Sequence, residues 1–497
     1  MKLERRAILV VKHANMVKCE TLIGVLIVAV CTLLTSDSAR AQPDSPTIEL
    51  IDCPVSLSVP RAARISCGRL QVPEDRSEPS GRWIDVFVAV VAAEVDGALP
   101  PLLYLAGGPG DAASSEIADW LEAGLHQSQD IIFVDQRGSG RSVPTLNCPE
   151  FDMPVTDRLV VCRDRLLADG ISLVAYDLDS ITSDIVDLIM AVDLQSLNIY
   201  GFSFGARLAL RVTERLPERV NALVLDSASY PSDESVIELA LANAERALQR
   251  VFADCSSDPA CAHAYPRLQA LFEQVVADMN RAPVVLDWFP PAAELQLDGG
   301  DLLRLLRAML AESTRLPFIP AFVSAVAEGD REALARMGAL RIEDDSLAVD
   351  DHSEGLYMSL VCAEVAAAAA VERILSTAES MPSTYVPLAR SALELLEDCV
   401  MWNGGFASKE RSLPASISVP TLSLHGRYDP VAGLYGSALQ STPGWRYVDP
   451  QLGHGVLLDS DCAQHITLAF LSDPSTEPLH DCLLDLQPLE FYIGEDH

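Results

Sequence analysis

Leu197-Asn198-Ile199-Tyr200-Gly201-Phe202-Ser203-Phe204-Gly205-Ala206-Arg207-Leu208-Ala209-Leu210 reads as a short apolar strand, a sharp turn and the start of a helix. The turn holds a serine with a glycine two positions away on either side. Glycine permits close backbone approach, and a strand that turns abruptly into a helix lifts the apical side chain above the sheet edge. In that setting Ser203 is a candidate nucleophile. A strand that runs directly into a helix also argues for a parallel sheet with covered faces.

Working outward, short β-branched runs bounded by Gly, Pro or Asp recur at Ile65 to Val72, Trp83 to Val91, Pro101 to Leu105, Ile131 to Asp135 and Val220 to Asp226. These are patterned as buried strands. Helical spacing appears between the later ones, at Ser180 to Val192 and Ala206 to Leu216. From about Pro231 to Phe406 the strand rhythm stops and Ala/Leu/Glu-rich helical text takes over. The rhythm resumes at Pro420 to His425 and Trp445 to Val448 and closes with a helix near Asp461 to Leu471. The expectation is one mostly parallel α/β core flanked by helices, with a helical cap inserted between strands six and seven. Its parts are a leader at 1–41, a first half of the core at 42–228, the cap at 229–405 and the second half at 406–497.

A serine nucleophile needs a base, and the base needs an orienting carboxylate; on this kind of sheet they follow in the order Ser, acid, His. His454 sits in a glycine-framed loop after a late strand (Leu452-Gly453-His454-Gly455), where the ring can swing over the serine. His425 ends a strand and reads as core, while His465, His480 and His497 belong to the last helix and the tail. Leu422-Ser423-Leu424-His425-Gly426-Arg427-Tyr428-Asp429 places Asp429 just past the preceding strand as the acid. Asp226 is the alternative acid, and its plainer reading is a carboxylate that caps a local turn. A hole for the oxyanion is expected from the N–H of Phe204 and from the loop Leu105-Ala106-Gly107-Gly108-Pro109-Gly110, with Gly108 as the second donor. That loop is no phosphate cradle, because no Lys-Ser/Thr follows it and Asp111 does.

Gly107-Gly108-Pro109-Gly110, Asp135-Gln136-Arg137-Gly138-Ser139-Gly140-Arg141-Ser142 and Gly201-Phe202-Ser203-Phe204-Gly205 together resemble the prolyl aminopeptidase and tripeptidyl aminopeptidase branch of the α/β-hydrolases. The second half is similar to the secreted tripeptidyl type at Cys362-Ala363-Glu364, Cys399-Val400-Met401-Trp402, Gly426-Arg427-Tyr428-Asp429-Pro430-Val431 and Gly453-His454-Gly455. The resemblance implies a serine exopeptidase acting on free peptide N-termini, with Ser203, Asp429 and His454 as triad and no metal or organic cofactor. Ala106 stands where the prolyl type carries His, which weakens proline specificity, and Phe204 keeps an aromatic wall. Asp135 and Arg137 are expected to form a structural ion pair.

Composition narrows the rest. Against 36 Lys+Arg stand 71 Asp+Glu, a net charge of −35. Such a polyanion with no basic patch does not gather nucleic-acid phosphates. Thr21 to Thr35 is an apolar run behind Lys2, Arg5, Arg6, Lys12 and Lys18, followed by Ala39-Arg40-Ala41. This is the pattern of a cleaved secretory leader, shorter than a membrane span, and Met16 offers a second start. Export to the periplasm or medium, with no lasting membrane anchor, is therefore expected. Removing the leader's six basic and three acidic residues brings the charge to −38 and leaves one lysine, Lys409. Ten cysteines remain: Cys53, Cys67, Cys148, Cys162, Cys255, Cys261, Cys362, Cys399, Cys462 and Cys482. They lack metal-site spacings and fall into neighbouring couples, so five consecutive disulfides are expected.

Residues 229–400 hold 28 acids against 12 arginines. Most of these charges read as solvated surface. Glu364 stands out, since Cys362 fixes it and Leu360, Val361 and Val365 surround it with apolar neighbours. It is the expected anchor for a substrate's α-ammonium. Two other readings stay open: an exported carboxylesterase with the same triad, and a non-catalytic binding module on a hydrolase scaffold.

Overall fold

The computed structural model describes residues 45–494 apart from 55–56, 58–62, 96, 153–156, 229–235, 290–291, 337–351, 366–367, 404–415, 434–439 and 442–443. The leader expected at 1–41 lies outside the described residues. So does the start of the expected cap at 229, as do both sides of its far join at 405–406.

Nine strands form the central sheet: β1 (Thr47–Ile51), β2 (Ile65–Pro73), β3 (Trp83–Val91), β4 (Leu102–Leu105), β5 (Ile131–Val134), β6 (Leu197–Phe202), β7 (Val220–Asp226), β8 (Thr421–Gly426) and β9 (Gly444–Asp449). Their spatial order is β1-β2-β3-β5-β4-β6-β7-β8-β9. The first three form an antiparallel meander that pairs antiparallel with β5, and everything from β5 to β9 is parallel. The central parallel strands β4 to β7 are apolar on both faces because both faces are covered, whereas the edge strand β9 is exposed along one face. Leu103 and Leu105 of β4, Ile199 of β6 and Leu223 and Leu225 of β7 enter one apolar cluster, while Leu102, Tyr104, Tyr200, Ala222 and Val224 enter the other.

Before the insertion lie α1 (Ile117–Glu122), α2 (Arg158–Ala168), α3 (Leu178–Ala191) and α4 (Phe204–Arg215). The side chain of Asp177 caps α3 by accepting from the Ser180 N–H at 2.7 Å. Between β7 and β8 come α5 (Val236–Ser257), α6 (Pro259–Ala264), α7 (Leu268–Arg281), α8 (Gly299–Ala311), α9 (Ile319–Glu328), α10 (Glu354–Val365), α11 (Ala368–Ser380) and α12 (Val386–Asn403). The chain then closes with α13 (Asp461–Ser472) and α14 (Asp481–Asp485). Leu248, Phe272, Leu303 and Leu306 of the insertion join the apolar cluster of Leu105 and Ile199, so cap and core share one interior.

Two strand features differ from the sequence reading. β1 precedes the first strand read from sequence, so the helical segment interrupts the sheet after its seventh strand. Within the helical segment, Val284–Phe289 and Ala292–Leu297 form an antiparallel hairpin. Leu286 and Leu297 are buried while Val285 and Gln296 face solvent, the period of two expected of a half-covered ribbon.

All ten cysteines pair consecutively: Cys53–Cys67, Cys148–Cys162, Cys255–Cys261, Cys362–Cys399 and Cys462–Cys482. The fourth bridge ties α10 to α12.

Candidate active site

β6 delivers Ser203 into a backbone conformation of φ 51° and ψ −115° at the threshold of α4. A non-glycine residue at positive φ is strained and persists only where its surroundings fix it. Here the Ser203 N–H donates to the Asp226 carbonyl at 2.9 Å, and α4 starts hard against β4. Gly205 allows that contact, since a Cβ there would stand 2.0 Å from the Leu105 carbonyl oxygen.

Asp429 lies in the turn after β8, fully buried, and its Oδ1 accepts the N–H groups of Val431 at 2.7 Å and Ala432 at 2.9 Å. Those bonds fix the carboxylate plane. His454 Nδ1 stands 3.0 Å from Oδ2 and 3.1 Å from Oδ1 of Asp429, and its Nε2 stands 2.9 Å from Ser203 Oγ. With the proton on Nδ1, the imidazole donates to the carboxylate and accepts from the serine hydroxyl. Phe202 packs beside the ring, centroids 5.3 Å apart. Burial alone would push the imidazole pKa down; the charge and hydrogen bond of Asp429, with Asp226 behind it, outweigh this and hold it above the ordinary histidine value, while Arg307 acts in the opposite sense. His425, by contrast, is a core residue held neutral, its pKa pushed down to about 4 by burial and by Arg446.

Asp226 stands behind the triad and does not take the place of Asp429. It accepts from the Tyr200 hydroxyl at 2.5 Å, the Ser227 hydroxyl at 2.9 Å and the N–H groups of Val456 and Leu457 at 3.0 and 2.9 Å. Ser227 Oγ in turn accepts the Gly455 N–H at 2.8 Å. The end of β7 therefore holds the distant loop that carries His454, where the plainer reading of Asp226 expected it to cap a local turn.

A cavity of about 410 Å³ opens over Ser203 and His454. Gly108 and Pro109 reach its wall from the loop after β4, and Phe204 from the first position of α4. The N–H of a first-turn residue has no partner within its helix and is free to meet an oxyanion. Helices of the insertion form the roof: Arg304 and Arg307 come from α8, Tyr357 and Val361 from α10, and Leu388 and Leu395 from α12. Asp111 is the one acid among the described residues that line it; its carboxylate is held by His352 Nδ1 at 2.7 Å.

Glu364 has a different partner from the one expected of it. It lies one turn beyond Val361 on α10, outside the described cavity wall, with Oε1 2.9 Å from Arg207 Nη1 on α4. Both side chains are buried, so the carboxylate is already balanced by a cation. The Asp135–Arg137 pair also does not form. Asp135 accepts from the backbone and hydroxyl of Ser114 and the N–H of Arg141, all at 2.8 Å, whereas Arg137 forks onto Asp184 at 2.6 and 2.7 Å. Residues two apart in sequence need not share a partner, and each charge has found one from another element. Sequence reading passed over Arg307 and Tyr357; the signal available was the spacing Arg304-Leu305-Leu306-Arg307, two cations one turn apart on a helix with a single acid, Asp301.

Residues 100–292 match the family model described as alpha/beta hydrolase fold, a span that contains the strand-to-helix turn and the glycine loop. The chain carries the α/β-hydrolase fold. Among curated relatives, the serine protease Hip1 of Mycobacterium tuberculosis is 28% identical over 227 residues, 39% of this chain and 42% of that protein. The tripeptidyl aminopeptidase of Streptomyces coelicolor is 25% identical over 228 residues, 40% of this chain and 41% of the relative. A probable proline iminopeptidase of the same organism is 28% identical over 136 residues, 27% of this chain and 35% of the relative. The chain spans about two fifths or less of the length of these relatives. Among the described residues, no helix of the chain is long and apolar enough to cross a membrane.

Proposed function

We propose that the protein is an exported serine exopeptidase that cleaves short peptides near a free amino terminus through an acyl-enzyme. The observation that carries this is the hydrogen-bonded series Ser203–His454–Asp429 opening into a roofed cavity of about 410 Å³, a size that accepts a few residues and excludes a folded chain. Ser203 Oγ attacks the scissile carbonyl carbon as His454 Nε2 takes its proton; Asp429 stabilises the imidazolium, and the N–H groups of Gly108 and Phe204 receive the oxyanion. Collapse breaks the C–N bond and returns the proton to the departing amine. Water then repeats the sequence on the ester and frees Ser203.

The substrate's ammonium needs a carboxylate once it is desolvated. Asp111 supplies it in this reading, shared with His352, because it lines the cavity whereas Glu364, paired with Arg207, lies outside the described wall. The names of the three relatives support peptide substrates, and the five disulfides support an oxidising compartment. A second reading, a carboxylesterase with the same triad, is favoured by the apolar roof residues Leu388 and Leu395.

Chromogenic anilides of one, two and three residues, free and N-acetylated, test the proposal beside p-nitrophenyl esters. Cleavage of free peptides with a marked loss on acetylation is expected. Equal cleavage of blocked peptides removes the exopeptidase, and hydrolysis of esters alone selects the esterase.

A further inference from the structure

The roof of the cavity carries a cation with nothing described to balance it. Arg307 lines the cavity, its Nε is buried without a hydrogen-bond partner, and it makes no ion pair or hydrogen bond among the described residues. The arginine one turn earlier is occupied: Arg304 pairs with Asp301 and donates to Ser391 Oγ at 3.2 Å. A guanidinium drawn partly out of water without a counter-ion costs free energy that an incoming anion recovers.

Its position relative to the reacting groups is fixed by backbone contacts. The His454 N–H donates to the Ala311 carbonyl at the end of α8 at 3.1 Å. Gly453 is required beside it, since a Cβ there would stand 2.0 Å from the Leu310 carbonyl oxygen. Arg304, Arg307 and Ala311 follow one another at three and four residues along α8 and so share one face. That face looks onto the loop of the base, and the charge of Arg307 is felt at the imidazole.

We propose that Arg307 is a specificity-determining residue that binds a substrate carboxylate, so that the enzyme prefers acyl donors or short peptides bearing a carboxylate within a few bonds of the scissile carbonyl. The inference deepens the exopeptidase reading and rests on it for the peptide as substrate. A planar guanidinium fork matches a carboxylate in shape as well as charge. Two sources offer that group: an acidic side chain beside the scissile bond, or the free C-terminus of a very short peptide.

The test compares the full-length enzyme with Arg307→Met and Arg307→Lys on matched substrate pairs. Ala-Ala-Glu against Ala-Ala-Gln p-nitroanilide reads the side-chain source, and free tri-alanine against its C-terminal amide reads the terminal source. Mono-p-nitrophenyl adipate against p-nitrophenyl hexanoate reads the carboxylate without a peptide. Within each pair the ratio of kcat/KM is independent of how much of a variant is folded. The wild type is expected to favour the charged member of at least one pair by roughly 10- to 100-fold, chiefly through KM. Arg307→Met should bring that ratio near one, and Arg307→Lys should restore part of it. No preference in the wild type, or the same preference in Arg307→Met, overturns the assignment. Cleavage of neutral free peptides without any charge preference discards Arg307 and keeps the exopeptidase; adipate preference without peptide cleavage keeps Arg307 and discards the exopeptidase.

Discussion

The floor of the site is made by the loops that follow β4, β6, β7, β8 and β9, whereas the roof is made by α5, α8, α10 and α12. On the floor, each functional group is held by several short backbone bonds: Asp429 by Val431 and Ala432, and the His454 loop by Asp226 and Ser227. On the roof, the groups that face the cavity project from helices whose relative placement depends on packing and on the Cys362–Cys399 bridge. The lesson is a division of labour. A rigid floor sets which bond-breaking chemistry is available, and the roof sets what reaches it.

The contrast breaks most visibly if the floor is not the seat of chemistry. Ser203→Ala should lower kcat/KM by about 10⁴-fold or more with an unchanged circular dichroism spectrum; substantial retained turnover in single-turnover assays would place the reaction elsewhere. A smaller effect belongs to Asp226→Asn. An amide offers one acceptor oxygen where Tyr200, Ser227, Val456 and Leu457 now donate to a carboxylate. The loss expected is about 1–3 kcal/mol of stability and on the order of 10-fold in kcat with KM little altered, measured by thermal melts and steady-state kinetics. Loss of KM alone would mean that Asp226 serves the substrate and not the loop.

The smallest effect joins the two regions. Attack requires a neutral His454, so activity falls as pH drops through its pKa, which Asp429 and Asp226 hold above the ordinary ~6.5. Arg307, facing the same imidazole from α8, lowers that pKa. Arg307→Met should therefore move the acid limb of the kcat/KM profile to higher pH, by a fraction of a unit. A shift to lower pH would show that the roof charge does not act on the floor.

The same division explains what could be read from the chain. Ser203, Asp429 and His454 were legible because each sits in a local pattern of strand, turn and glycine that the sheet imposes. The bridges were legible because the paired cysteines are sequence neighbours among the ten. β1 was not, since Thr47-Ile48-Glu49-Leu50-Ile51 is a half-exposed edge strand without a strong apolar alternation. The hairpin at 284–297 was hidden by the Ala/Leu/Glu-rich text around it. Glu364 shows the limit most clearly: its apolar neighbours announced burial, but only the packing of α10 against α4 determines that Arg207 is the ion beside it.

The bond from the His454 N–H to the Ala311 carbonyl bears on any attempt to exchange caps among enzymes of this fold. The last turn of α8 is a structural part of the loop that presents the base, so the roof is not a hinged door that can be removed whole. A graft that cuts before α8 would leave that amide without its acceptor and free the imidazole to drift. A graft that keeps Gly299–Ala311 and replaces the helices around it would change the substrate while leaving the base where it is.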